Sequence, residues 1–293
     1  MANLKEIRNR ITSISSTMQI TSAMKMVSAA KLRKAQDAVT QMRPYANKLQ
    51  EILSNVSSTL DSSEGVYSEE REVKNVLLVS ITSNRGLCGG FNNNVIKTIN
   101  RLASTEYSGC NVSVLSIGKK SNDAFKNSGM SANETLFSHN VDNIWDDLTF
   151  ENSSEIAQKL MDQFTEGKQD KIVIVYNQFK NAAVQLVQEE QFLPVLPPVL
   201  EEGEKANTAD YIYEPTKEAI VEDLIPKSLK TQLFKGLLDS MASEHGARMT
   251  AMHKATDNAK ELQDDLKLVY NKARQAAITN EILEIVAGAE ALG

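Results

Sequence analysis

Along the first sixty residues, apolar side chains recur in alternating steps of four and three. The ladder runs Ile7, Ile11, Ile14, Met18, then Thr21, Lys25 and Ser28, then Leu32, Ala35, Val39, Met42 and onward to Leu60, with thirteen of its sixteen positions apolar. A repeat near 3.5 held this long predicts a helix that shares a left-handed coiled-coil seam, not one that merely lies on a surface. At about 1.5 Å per residue it would extend roughly 80 Å, more than a globular core can cover. Pro44 falls inside the pattern and predicts a kink or break near Met42, because proline removes a helix hydrogen bond.

The other end of the chain repeats the rhythm. From Phe234 through Leu238, Met241, His245, Arg248, Met252 and on to Ala276, eleven of thirteen positions are apolar, after which the phase shifts to Ile278, Ile282, Ile285, Ala289 and Leu292. Such an offset lets the stripe wander around a straight helix. Two seams at opposite ends of one chain are most simply covered by winding around each other antiparallel. Between them, residues 76–81, 112–117 and 172–176 are short β-branched runs, each separated by room for a helix, which predicts a mainly parallel α/β sheet. Residues 183–187 add a further strand candidate, and residues 192–207, with three prolines and three glutamates, read as an irregular acidic connection. The fold expected is therefore α/β, with a long antiparallel coiled coil of terminal helices and a mainly parallel central domain. Its divisions fall at residues 1–62, 72–210 and 211–293.

Composition narrows the function. The chain of 293 residues is 41% hydrophobic and 24% charged, ordinary for a folded protein, and its two cysteines cannot build a disulfide framework. Its longest apolar runs fall far below the roughly 20 residues a membrane helix needs. The basic, serine-rich start resembles an organelle presequence, but the same periodicity continues past it without a break, so it reads as structure. The net charge of −6 is an average of unlike parts. Residues 1–50 hold nine positive and two negative side chains, a net of +7, which leaves −13 for the remainder. That basic helix suits a solvated coiled-coil face or an acidic protein partner. Nucleic acid fits less well, since Tyr45 is the sole aromatic among its first sixty residues.

The most enzyme-like stretch runs from Ser83 to Asn92, a glycine-rich turn between a predicted strand and a predicted helix. Glycines there would let backbone amides approach a phosphate. The spacing matches neither the Walker loop nor the dinucleotide fingerprint, and Ser113 occupies the position at which a Walker loop ending at Lys119 would need glycine. The structural alternative is a tight strand-to-helix turn, with Cys88 a reduced structural thiol. His245 and His253 are eight residues apart, off the spacing that aligns two metal ligands on one helical face. No catalytic set, cofactor site or metal site is expected. Thr21, Lys25 and Ser28 interrupt the first seam in succession, which turns Met24, Met26 and Val27 toward partners. The last nine residues carry a single charge, Glu290, so that helix tip is expected to pack back or be enclosed.

Four blocks carry a resemblance. They are Ile20 to Lys34 (ITSAMKMVSAAKLRK), Ser83 to Asn92 (SNRGLCGGFN), Ser243 to Met252 (SEHGARMTAM) and Tyr270 to Thr279 (YNKARQAAIT). Together they resemble the gamma subunits of F-type ATP synthases, over the whole chain. The resemblance implies a non-catalytic rotor shaft with a Rossmann-like central domain, which couples proton translocation to ATP synthesis or hydrolysis on beta subunits. Its implied partners are three alpha and three beta subunits, the epsilon subunit and the c ring, with no nucleic acid and membrane contact only through those partners. It implies a peripheral position at the cytoplasmic face of a bacterial inner membrane. By position, Arg274 and Gln275 match a polar catch with beta. Met24 and Lys25 match the shaft region near beta's acidic lever, and Arg85 matches an arginine near that same lever. Tyr211, Tyr213 and Glu214 resemble the foot beside the c ring and epsilon. Asn84 departs from the family's common aspartate, and no cysteine-bearing redox insertion is present. A contrasting expectation is a nucleotide-binding α/β enzyme with a dimerising coiled coil, which would need the phosphate loop that is missing.

Overall fold

The computed structural model describes residues 4–57, 66–69, 71–195 and 217–290. It places two long helices at the chain ends, α1 (Leu4–Ser57) and α6 (Lys217–Glu290). Between them lie β1 (Asn75–Ile81), α2 (Phe91–Ser104), β2 (Asn111–Ile117), α3 (Lys119–Phe125), α4 (Asn133–Leu136), a 3-10 turn (Val141–Trp145), α5 (Phe150–Thr165), β3 (Lys171–Phe179) and β4 (Gln185–Leu193). The chain divides into two compact units: residues 1–29 with 248–293, and residues 30–247. Among the described residues, no helix is long and apolar enough to cross a membrane.

In the first unit the two helices pair antiparallel. Thr21 meets Thr256 and Lys25 meets His253, so four residues forward on α1 correspond to three residues back on α6. The predicted ladder lines this contact: Ile7, Thr21 and Ser28 are buried, and Ile11, Ile14, Met18 and Lys25 are half-buried. On α6, Met252 is buried and Ala255, Ala259, Leu266 and Ala273 are half-buried. The expectation of a wound antiparallel pair holds.

The second unit is a four-stranded sheet in the order β2-β1-β3-β4, with β1 parallel to both β2 and β3 and β4 antiparallel to β3. Alternate residues of β1 feed two cores. Leu77, Val79 and Ile81 pack with α5 and with Leu229, Leu233 and Leu237 of α6, while Val76 and Leu78 pack with Val95, Ile99 and Leu102 of α2. Burial on both faces explains why these strands read as continuous apolar runs.

Two expectations need correction. Helix α1 is not broken at Pro44, which lies inside it. Thr40 and Pro44 both face solvent, so water can take the carbonyl that proline leaves unbonded, while Leu32, Ala35, Val39 and Leu49 hold the opposite face. Phe192 and Leu193 belong to β4, not to an irregular connection, and both are buried. Helix α6 begins well before its seam and runs through Pro226. Between residues 225 and 247 it serves as more than a coiled-coil strand, because Ile225, Leu229, Leu233 and Leu237 form a second stripe against the sheet. Tyr211, Tyr213 and Glu214 lie outside the described residues.

Candidate partner interface

The interruption of the first seam is a cross-helix polar patch. The hydroxyls of Thr21 and Thr256 are 2.8 Å apart, and each also lies within reach of a carbonyl of its own helix, Met18 for Thr21 and Met252 for Thr256; with one proton apiece, one hydroxyl donates across the pair while the other donates within its own helix. The buried Ser28 hydroxyl donates to the Met24 carbonyl. Lys25 Nζ lies 3.3 Å from His253 Nδ1. With polar groups turned inward, apolar ones turn out: Ile20, Met26 and Val27 are 60%, 65% and 57% exposed, and Met24 is half-buried. The sequence expectation of outward apolar surface here is met, with Met24 at its margin. Exposed side chains of this kind are what a protein partner covers.

Further along α6 in the same unit, Arg274 and Gln275 are both exposed. They sit adjacent on the helix, so their side chains diverge by about 100° and can grip two sides of a partner surface. Beyond them Ile278, Ile282, Leu283, Ile285 and Val286 are all exposed, Ile285 at 66%. Among the described residues of the first unit nothing covers this stretch, so the apolar tip does not fold back on its own helix.

Arg85 belongs to the second unit, in the turn between β1 and α2. The turn consumes its own polar groups. Ser83 N–H donates to Asn92 Oδ1 at 2.9 Å, Asn92 Nδ2 donates to Ser83 Oγ at 2.9 Å and to Cys88 Sγ at 3.2 Å, and Ser83 Oγ donates to the Arg85 carbonyl at 2.6 Å. Cys88 is buried and in no disulfide, in line with the structural reading. At the tip Leu87 adopts a φ of 63° and is 66% exposed, beside exposed Arg85. Leucine in the left-handed region is uncommon, and here the hydrogen-bonded base of the turn holds it.

A second turn braces the first. Asn84 Nδ2 donates to the Asp142 carbonyl at 3.0 Å, and Asn84 Oδ1 accepts from the Lys119 N–H at 3.0 Å. Asn84, where the resemblance implies aspartate, therefore uses both halves of its amide, and an aspartate could make only the accepting half. Asp142 Oδ1 accepts from the Gly118 N–H at 2.8 Å. Burial pushes the Asp142 carboxyl above its ordinary range, opposed by that N–H and by Asn140. Gly118 has a φ of 122°, and a Cβ there would lie 2.1 Å from the Thr82 carbonyl oxygen, so only glycine fits.

These turns lie at the carboxyl ends of parallel strands, where open α/β sheets commonly bind ligands at the switch between β1 and β3. In this protein α6 occupies that place. Ala247 packs with Cys88 and Phe91, Gly246 sits against Ala182 and Phe179, and Asn177 Nδ2 donates to the Phe91 carbonyl at 3.1 Å. Nearby, Tyr176 donates to Glu190 Oε2 at 2.9 Å, and burial, with Glu190 and Asp239, pushes its phenol well above the ordinary range. It is a buried structural donor, not an acid for catalysis. Among the described residues no three His, Cys, Asp or Glu side chains come together as metal ligands.

The structure brings Met24 and Lys25 together at the polar patch and sets Arg274 and Gln275 together on exposed α6, while Arg85 stands in the other unit. Sequence reasoning missed three participants: His253 opposite Lys25, the dual role of Asn84, and Leu87. Aligning the two ladders antiparallel would have found the first, and for Leu87 the sequence carries no signal.

A family model described as ATP synthase matches residues 3–292. A chain from Flavobacterium psychrophilum named ATP synthase gamma chain is 64% identical over 294 residues, covering 100% of this chain and 99% of that one. The chain of the same name from Flavobacterium johnsoniae is 65% identical over 293 residues, with the same coverage. Among solved structures, a chain of the Tetrahymena thermophila mitochondrial ATP synthase central stalk and c-ring is similar at 26% identity and a TM-score of 0.56, covering 80% of this chain and 99% of that one. A chain from the Euglena gracilis mitochondrial ATP synthase, at 21% identity and a TM-score of 0.64, shares the fold over 99% of this chain and 94% of its own.

Proposed function

Because the chain belongs to the ATP synthase gamma-chain family, we propose a division of labour along it that follows from its exposed surfaces. It is the central rotor subunit and is itself non-catalytic, the reaction of ATP taking place on beta subunits. Its first unit turns within three alpha and three beta subunits. Met24 and Lys25 approach the acidic lever segment of beta, Arg85 meets the same segment, and Arg274 with Gln275 forms a polar catch. Tyr211, Tyr213 and Glu214 contact the c ring and the epsilon subunit, through which proton translocation drives rotation. The subunit is peripheral, at the cytoplasmic face of a bacterial inner membrane.

The uncovered apolar end of α6 carries this reading. Five large aliphatic side chains between residues 278 and 286 are each 48% exposed or more, an arrangement that isolated helices in water do not sustain but that an enclosing sleeve explains. A bearing has to hold without locking. Apolar contacts are non-directional, so they slide at less cost than hydrogen bonds that must break at each step. The net +7 of residues 1–50 complements an acidic sleeve, and exposed charges can exchange partners because none is buried among the described side chains. Two wound helices also resist twist better than one, which lets torque pass along the pair.

Co-expression of this chain with alpha and beta subunits from the same organism tests the reading. Cooperative ATPase activity should appear with the chain and be absent without it. Equal activity in both preparations would overturn the rotor assignment.

A further inference from the structure

One ring nitrogen in the first unit faces two partners of opposite charge. His253 Nδ1 lies 3.3 Å from Lys25 Nζ across the helix pair and 3.4 Å from Asp257 Oδ2 on its own helix. The two contacts need opposite proton placements. An ammonium has only donors, so Lys25 can bond Nδ1 only when that nitrogen presents a lone pair, with the ring proton on Nε2. A carboxylate only accepts, so Asp257 can bond Nδ1 only when it carries a proton. From α1 the ionisable group against the ring is Lys25, and from α6 it is Asp257, one turn on. Among the described residues no other ionic partner of the ring is recorded.

We propose that His253 is a proton-operated tie across the antiparallel helix pair. In its neutral state it accepts from Lys25 and links α6 to α1. On protonation, Nδ1–H turns to Asp257, the new positive charge repels the ammonium, and Lys25 is released toward solvent beside Met24. Histidine is the side chain suited to this, because it changes charge between about pH 5 and 8. All three side chains are partly exposed, so the tie opens without unfolding the seam that Thr21 and Thr256 hold one turn away. Acidification then removes one polar cross-link from the shaft and changes the direction of one of its cations. Any effect on the beta subunit rests on the proposed role of Lys25, whereas the switch itself does not.

The test uses the full chain labelled with ¹⁵N and ¹³C at its three histidines, with the His253 resonances assigned from their loss in His253→Gln. At pH 8.5 the nitrogen shifts should show the Nε2–H tautomer. Lys25→Gln should move the His253 Nδ1 shift at pH 8.5 and leave it unchanged at pH 5, Asp257→Asn should do the reverse, and Lys25→Arg should keep both wild-type shifts. An Nδ1–H tautomer at high pH, or Nδ1 shifts indifferent to both substitutions, would overturn the proposal. Because the readout is taken on the free chain, it is independent of whether Lys25 meets a beta subunit.

Discussion

The hydroxyls of Thr21 on α1 and Thr256 on α6 lie 2.8 Å apart where Thr21, Lys25 and Ser28 interrupt an apolar seam. A polar pair at such a position favours one register, since sliding either helix by a turn parts the two hydroxyls and breaks the contact between them. The pair therefore selects the alignment of the two helices while adding little to their affinity.

Replacing either threonine by valine keeps the volume and removes the hydroxyl. Each single variant should lose about 1 kcal/mol of stability because its partner is left half-satisfied. The double variant should cost much less than the two losses added, and a double-mutant cycle by thermal or denaturant unfolding measures that coupling.

Arg274→Ala with Gln275→Ala removes two exposed side chains, so unfolding should shift by no more than about 0.5 kcal/mol. If the pair forms a catch, coupled turnover should fall about tenfold, in line with loss of a hydrogen bond to a charged group, while the complex still assembles. Rotation recordings at ordinary torque and speed would count against the catch.

Gly118→Ala should destabilise the second unit by at least about 3 kcal/mol, because the backbone is in a region alanine avoids and the new methyl would strike the Thr82 carbonyl. Gly89→Ala is the control. Its φ is 61° but nothing lies within 4 Å of the added carbon, so about 1 kcal/mol is expected from strain alone. Denaturant midpoints of the two variants compare them directly.

Burial raises the Asp142 carboxyl above its unfolded value, so the folded state binds this proton more tightly than the unfolded chain does. Stability from this group is complete below the ordinary carboxylate range and is lost as the pH rises through the raised folded value. Asp142→Asn keeps an oxygen for the Gly118 N–H and carries no charge. Its stability relative to wild type should therefore climb between pH 4 and pH 7, as urea unfolding at the two pH values will show.

Much of this protein is legible before any coordinates exist. The four-and-three ladder found the helix pair and its faces, since heptad spacing is local information that one helix carries by itself, and the ladder positions from Ile7 to Ser28 all turn inward. The β-branched runs found three strands for the same reason. Less legible was the part of α6 from Ile225 to Leu237, where a helix packed on two sides blurs a single period. Pro44 misled because the cost of proline depends on whether water can reach the freed carbonyl, and a sequence does not state exposure.

The candidate site divides in the same way. Composition, spacing and the four blocks of resemblance determined the class of protein, the polar interruption at Thr21, Lys25 and Ser28, and the lack of a phosphate loop, all properties of residues near one another in the chain. Tertiary structure alone decided that Lys25 faces His253 across 228 positions and that Asn84 ties two turns through Asp142. It also decided that Ala247 fills the crevice beside Cys88 and Phe91. Those pairings arise when distant segments compete to bury the same surface, and that competition is settled only in three dimensions.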